Sequence, residues 1–183
     1  MEALQQEDIL YTTEFIENLP EGERAELIDG HIYYMAPPSY THQNISFFIA
    51  RKIADYIDLK KGKCKVVLAP FAVYLKKDNK NYVEPDISVI CDKSKINDKG
   101  CFGAPDWVIE IVSPASIRHD YLTKTYLYEN ANVREYWIVD TKKKRITVHD
   151  FETETMEEYG FNDTVKVGIY EDLEIDFSEI ELE

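Results

Sequence analysis

Two apolar stretches each carry an acid for which an interior strand has no ordinary use: Asp86 in VEPDISV (83–89) and Glu110 in DWVIEIV (106–112). An unpaired carboxylate is costly to bury, so each needs a partner. Strand side chains alternate between faces, which groups Asp86 with Glu84 and Ser88 and sets Glu110 between Val108 and Val112. If the two strands are neighbours, the carboxylates converge within a few ångströms, and like charges that close shift each other's titration unless a cation lies between them. A divalent metal would meet that need. Lys124 offers a second positive charge: in a helix beginning near Ile117, Asp120 and Lys124 stand at i and i+4, on one face with Tyr121 and Tyr128.

Each of these residues also has a plainer reading. Pro85 before Asp86 suggests an edge or a bulge, where the acid would be partly exposed. Glu110 could be satisfied by a structural lysine or arginine. Asp120 with Lys124 is by default a surface helix pair, worth only about 0.3–0.5 kcal/mol.

The elements that must position these groups are legible in outline. TEFIENLPEG predicts a short helix over 13–17, stopped by Pro20 and Gly22, and Asp29-Gly30 predicts a two-residue hairpin between strands near 24–28 and 31–36. Ile45, Phe48, Ile49, Ile53, Tyr56 and Ile57 recur at helical spacing, which predicts an amphipathic helix over 41–59 with Thr41 as its cap. Strands are expected at 64–75, 82–91 and 106–112, a helix at 117–130, and a hairpin of EYWIVD and RITVHDF across TKKK. TVKVGIY in the acidic tail hints at one more strand. This order argues for an α/β or α+β sandwich with a mixed sheet, not for an alternating dinucleotide fold. No GxGxxG or GxxxxGK[ST] phosphate loop occurs.

Composition bounds the rest. With 183 residues, 44% of them hydrophobic, the chain suits a single domain, 1–183, with a motif-bearing core at about 24–151 and an acidic C-terminal segment at 152–183. No apolar run of membrane-spanning length and no signal-peptide pattern is seen, so the cytoplasm is the expected location. Cys64, Cys91 and Cys101 are odd in number and lack CxxC spacing, and are expected to be reduced thiols. A net charge of -14 argues at first against a nucleic-acid partner. Its distribution argues otherwise: residues 1–30 sum to -8 and residues 151–183 to -11, while 31–150 carry 19 bases against 14 acids, or +5.

Taken in order, PD at 85–86, EIVSP at 110–114, RHDYLTK at 118–124 and YWIVD at 136–140 resemble the PD-(D/E)xK nuclease superfamily, and within it the Uma-type restriction endonucleases. ELIDGHIYYMAPPSYTHQ, with Glu26, Gly30, Pro38 and His42, is similar to that family's first segment. The resemblance implies a restriction-endonuclease-like core, a central mixed β-sheet flanked by helices with N-terminal and C-terminal β-hairpins. It also implies Mg²⁺-dependent hydrolysis of DNA phosphodiesters, with Mn²⁺ as a substitute metal, Asp86 and Glu110 as metal ligands, and DNA as partner. The superfamily's lysine, two residues after the acid, is here Val112, and Lys124 on the following helix matches the Uma-type substitute. Metal held by two carboxylates can polarise a phosphate oxygen and acidify a water, and a lysine can orient that water or offset developing charge.

Glu26, His42, Asp120 and Tyr128 are supporting candidates: an extra carboxylate, a phosphate or substrate contact, a helix acid and a pocket-lining phenol. A homodimer and the absence of a membrane partner complete the expectation. Two other classes compete with it: a catalytically inactive nuclease-fold module that binds nucleic acid or protein, and an acidic interaction protein whose strand acids are merely structural.

Overall fold

In the computed structural model, residues 9–112 and 119–181 are described, with side chains from 121 onward in the second segment. The strand-end signal at Ser113-Pro114, the predicted helix start at Ile117 and the side chain of Asp120 lie outside the described residues. The elements run α1 (Thr13–Glu17), β1 (Ala25–Ile28), β2 (His31–Tyr34), α2 (Tyr40–Leu59), β3 (Lys65–Leu68), β4 (Val73–Tyr74), β5 (Ile87–Ile90), β6 (Ile96–Asn97), β7 (Gly100–Phe102) and β8 (Trp107–Val112). After a π-helical segment at His119–Lys124 come α3 (Thr125–Asn130), β9 (Glu135–Asp140), β10 (Arg145–Asp150), β11 (Thr155–Gly160), β12 (Thr164–Lys166) and β13 (Glu174–Asp176).

Six strands form the central mixed sheet in the order β11-β10-β9-β8-β5-β3. Only β8 and β9 pair in parallel; the other neighbours are antiparallel. The crossover between the parallel pair is the helical segment that carries Lys124, as a parallel connection requires.

Strand parity splits the core into two. Trp107, Ile109 and Ile111 of β8 pack with Ile45, Ile49 and Ile53 of α2 on one face. Val108 and Val112 pack with Leu127 and Tyr128 of α3 and Ile28 of β1 on the other. Glu110 shares that second face, so its carboxylate is enclosed by α3 and the first hairpin. The acidic tail does not hang free: Val165, Val167, Leu173, Ile175 and Phe177 join the α2-side core.

The Asp29-Gly30 hairpin is present, with both residues at positive φ (49° and 84°), the conformation an Asn-Gly or Asp-Gly turn is suited to. Helix α2 begins one residue earlier than predicted and is capped by Ser39, whose Oγ accepts the His42 N–H at 3.2 Å; Thr41 is already inside the helix. Ser39 has the extended backbone that a cap position needs (φ −74°, ψ 165°).

Three other expectations need correction. The predicted strand 64–75 is two short strands, because Pro70 has no N–H to donate to a ladder. The predicted strand 82–91 is regular only from Ile87, since the N–H groups of Glu84 and Asp86 go to the carboxylates of Glu26 and Glu110. Val83 therefore packs on the α3 side while Ile87 and Val89 face α2. Cys64 and Cys91, expected as thiols, form a disulfide; they flank the Lys65–Ile90 pair of β3 and β5, with Cα atoms 3.8 Å apart. CxxC spacing could not reveal this, because the antiparallel register brings the two together across 27 residues. Cys101 is free and buried.

Among the described residues, no helix is long and apolar enough to cross a membrane.

Candidate active site

Glu110 enters the site from the middle of β8, Asp86 from the residue before β5. Ile87 stands opposite Ile109, which sets residue 86 across from residue 110. The two acids support each other's strand ends. The Asp86 N–H approaches Oε2 of Glu110 at 3.4 Å, and Oδ2 of Asp86 accepts the Ile111 N–H at 2.7 Å. The same Oδ2 lies 3.0 Å from Nε2 of His42, which the first turn of α2 brings to the sheet end. Nδ1 of His42 is buried and has no hydrogen-bond partner among the described residues.

Lys124 reaches this pocket from the opposite side. Its Nζ lies 2.8 Å from Oε1 of Glu110 and 2.8 Å from Oε2 of Glu26, with the lysine only 4% exposed. The segment carrying it is π-helical and continues into α3, where Tyr128 donates its hydroxyl to Oε1 of Glu110 at 2.7 Å. Local widening of a helix is one way to aim a side chain that regular spacing would misdirect. Burial first, and then the charge of Glu110, push the Tyr128 hydroxyl well above its ordinary pKa, so it remains a donor at any working pH.

Glu26, in β1, is 3% exposed, and besides Lys124 it accepts the Glu84 N–H at 3.1 Å. Glu84 is in turn bound by Nε of Arg24 at 2.8 Å and by the Tyr82 hydroxyl at 2.6 Å. A continuous polar chain thus runs from the half-buried Arg24 through Glu84 and Glu26 to Lys124 and Glu110. Sequence pattern assigns Arg24 and Glu84 no site role, although Glu84 shares the Asp86 strand and Arg24 is the sole base in the first thirty residues. Val112, two residues after Glu110, is 2% exposed and packs in the α3-side core.

The structure therefore brings together Asp86, Glu110, Lys124, Glu26, His42 and Tyr128, while the Asp120 side chain lies outside the described residues. The donor set suits a hard divalent cation. Glu26 and Glu110 hold the one ammonium while Asp86 lies beside Glu110, and oxygen is the ligand that Mg²⁺ selects. Among the described residues no three His, Cys, Asp or Glu side chains converge as a protein-only metal cage. That is compatible with Mg²⁺, which keeps several waters and is usually held by one or two carboxylates together with substrate phosphates.

Comparison with known proteins bears on the fold and the family. A solved structure from Anabaena variabilis, described as "a putative nuclease belonging to DUF820", superposes with a TM-score of 0.74 at 21% identity, covering 92% of this chain and 96% of that one. This likeness shows the fold. An uncharacterized Synechocystis protein, slr1290, is 27% identical over 130 residues, 70% of this chain and 67% of its own length. The sequence model of the family Uma2, described as "Putative restriction endonuclease", matches residues 12–180. Since that match spans nearly the whole chain, the protein belongs to the Uma2 family of restriction-endonuclease-like proteins.

Proposed function

We propose that the protein is a Mg²⁺-dependent endodeoxyribonuclease that hydrolyses phosphodiester bonds, with Asp86 and Glu110 as the metal-holding carboxylates and Lys124 as the cationic catalytic residue. The observation that carries the reading is the convergence of Asp86 and Glu110 where the start of β5 lies beside the middle of β8, with the Lys124 ammonium bonded to Glu110 at 2.8 Å.

When bound, the metal ion supplies Lewis acidity toward a phosphate oxygen and lowers the pKa of a water. The chain's own residues do the rest. Lys124, held between Glu26 and Glu110, hydrogen-bonds and orients the attacking water, or offsets the charge that a phosphate oxygen gains as the bond from water to phosphorus forms and the ester P–O bond breaks. The Tyr128 hydroxyl keeps Oε1 of Glu110 engaged and fixes the orientation of that carboxylate. The bond from Asp86 to the Ile111 N–H fixes the other acid. Preorganisation of this kind is what makes charged groups effective in a site shielded from water.

The test is incubation of supercoiled plasmid with purified protein and Mg²⁺ or Mn²⁺, with and without chelator. Nicked or linear product that appears with metal and disappears with chelator is expected. Plasmid left intact by a protein that still binds DNA would overturn the enzymatic reading in favour of a catalytically inactive binding module.

A further inference from the structure

The β9–β10 turn is built around a buried carboxylate, and after the half-buried Thr141 its exposed side chains are all basic. Asp140 ends β9 fully buried, and its Oδ1 accepts the N–H groups of Lys142 at 3.1 Å and Lys143 at 2.8 Å. Lys144 holds a left-handed backbone, φ 51°. The anchored turn has one shape, so its side chains leave from set positions. Glycine, asparagine or aspartate would close such a turn with less strain, yet lysine fills three consecutive places and Arg145 follows, all four exposed.

Acids are abundant in this chain, 35 against 21 bases, and they use other parts of the basic run. Arg145 pairs with Glu158, and Lys143 lies 3.6 Å from Asp140. Lys142 and Lys144 have no ion pair among the described residues, in a protein where a carboxylate partner would be easy to supply.

Topology sets this turn beside the carboxylate pocket. Strands β8 and β9 run parallel, with Glu110 opposite Ile138 and Val112 opposite Asp140, so the turn emerges at the sheet end toward which β8 runs past Glu110. At a strand rise of about 3.3 Å per residue, the Asp140–Arg145 pair that closes the turn stands roughly 7 Å beyond the level of Glu110. Lys143 bridges the interval: its Nζ lies 5.4 Å from the ring centre of Tyr121, in the same π-helical segment as Lys124. The Tyr121 hydroxyl is buried and has no hydrogen-bond partner among the described residues. The lysines at 60–65 and 93–99 stand at the other end of the sheet, because β5 is antiparallel to β8 and β3 to β5.

We propose that Lys142 and Lys144 grip backbone phosphates of the nucleic acid flanking the scissile bond, making the β9–β10 turn the chain's phosphate-docking element. This rests on the nuclease reading and adds to it the surface along which the substrate lies. Contacts of this kind carry no sequence information; they set register and supply salt-dependent affinity.

The experiment compares two doubly neutralised proteins of equal net charge, Lys142→Gln with Lys144→Gln and, from the opposite sheet end, Lys93→Gln with Lys99→Gln. Duplex DNA binding is followed by fluorescence anisotropy in chelator over a salt series, and KM is measured for plasmid cleavage with Mg²⁺. The turn variant should bind roughly tenfold more weakly, with a salt slope lower by about two, one per lost phosphate contact, and its KM should rise in step. The Lys93/Lys99 control should stay close to wild type. Equal weakening of both proteins would mean that only bulk charge matters, and unchanged binding by the turn variant of an enzyme that cleaves DNA would overturn the proposal alone. A wild-type protein that neither binds nor cleaves DNA would overturn the nuclease reading, and this proposal with it.

Discussion

The Lys124 ammonium and the Glu110 carboxylate meet at 2.8 Å, buried, although one comes from a helical crossover and the other from the centre of a sheet. Glu26 closes on the same ammonium from the first hairpin. A buried charge of this kind cannot be removed quietly, because whatever remains is left uncompensated.

Replacing Lys124 with methionine keeps much of the side-chain volume and removes the charge. Cleavage should fall by about 100- to 1000-fold, as expected when a transition-state donor is lost. Unfolding free energy should drop by about 3–5 kcal/mol, because Glu26 and Glu110 then face each other without a cation. Metal affinity measured by calorimetry should be no lower than in wild type. Wild-type turnover in single-turnover assays would reduce Lys124 to a structural counterion.

Asp86→Asn and Glu110→Gln each keep an acceptor oxygen while removing a formal charge from the metal-holding pair. Metal-dependent cleavage should disappear and Mg²⁺ affinity should fall about tenfold or more. The alanine versions should in addition lose about 1–3 kcal/mol of stability, since the Ile111 N–H or the Tyr128 hydroxyl loses its acceptor. Equal metal affinity in wild type and both amide variants, read by calorimetry, would remove these two acids from the metal site.

The Cys64–Cys91 disulfide closes a loop of 27 residues' separation at the end of β3 and β5. Loop-entropy arguments give it about 3–4 kcal/mol. Thermal unfolding with and without a strong reductant should therefore differ clearly, and Cys64→Ser should unfold alike in both conditions. Identical melting of wild type with and without reductant would contradict a stabilising cross-link.

His149, on β10, is stacked between Tyr136 and Phe151, and burial holds its imidazole below the ordinary 6.5, with the charge of Glu129 as a smaller opposing influence. A base whose pKa is lower in the folded state binds fewer protons there than in the unfolded chain. The stability it permits is complete above about pH 6.5 and is lost as pH falls through the folded value. Melting temperature should decline on acidification from pH 7 to pH 5, and His149→Phe should flatten that decline while preserving the stack. Parallel curves for the two proteins across this range would exclude His149 as the source.

What the sequence determined by itself are the features that depend on neighbours a few residues apart. The alternation around Glu110, the Asp29-Gly30 turn, the apolar stripe of α2 and the EYWIVD–RITVHDF hairpin are all present where local pattern puts them. Short-range sterics and strand or helix periodicity suffice for those. Tertiary structure alone decided the partnerships. Strand register joined Cys64 to Cys91, turned the N–H groups of Glu84 and Asp86 away from a regular ladder, and drew the acidic segment Thr155–Gly160 into an edge strand that its polar composition conceals. The same holds for the site: the sequence shows that Glu110 needs a cation, but three separate elements must pack before Lys124, Glu26 and Tyr128 surround it. A buried carboxylate announces its need in the local pattern, whereas the group that meets the need is set by contacts across 14 to 98 residues, which no local pattern encodes.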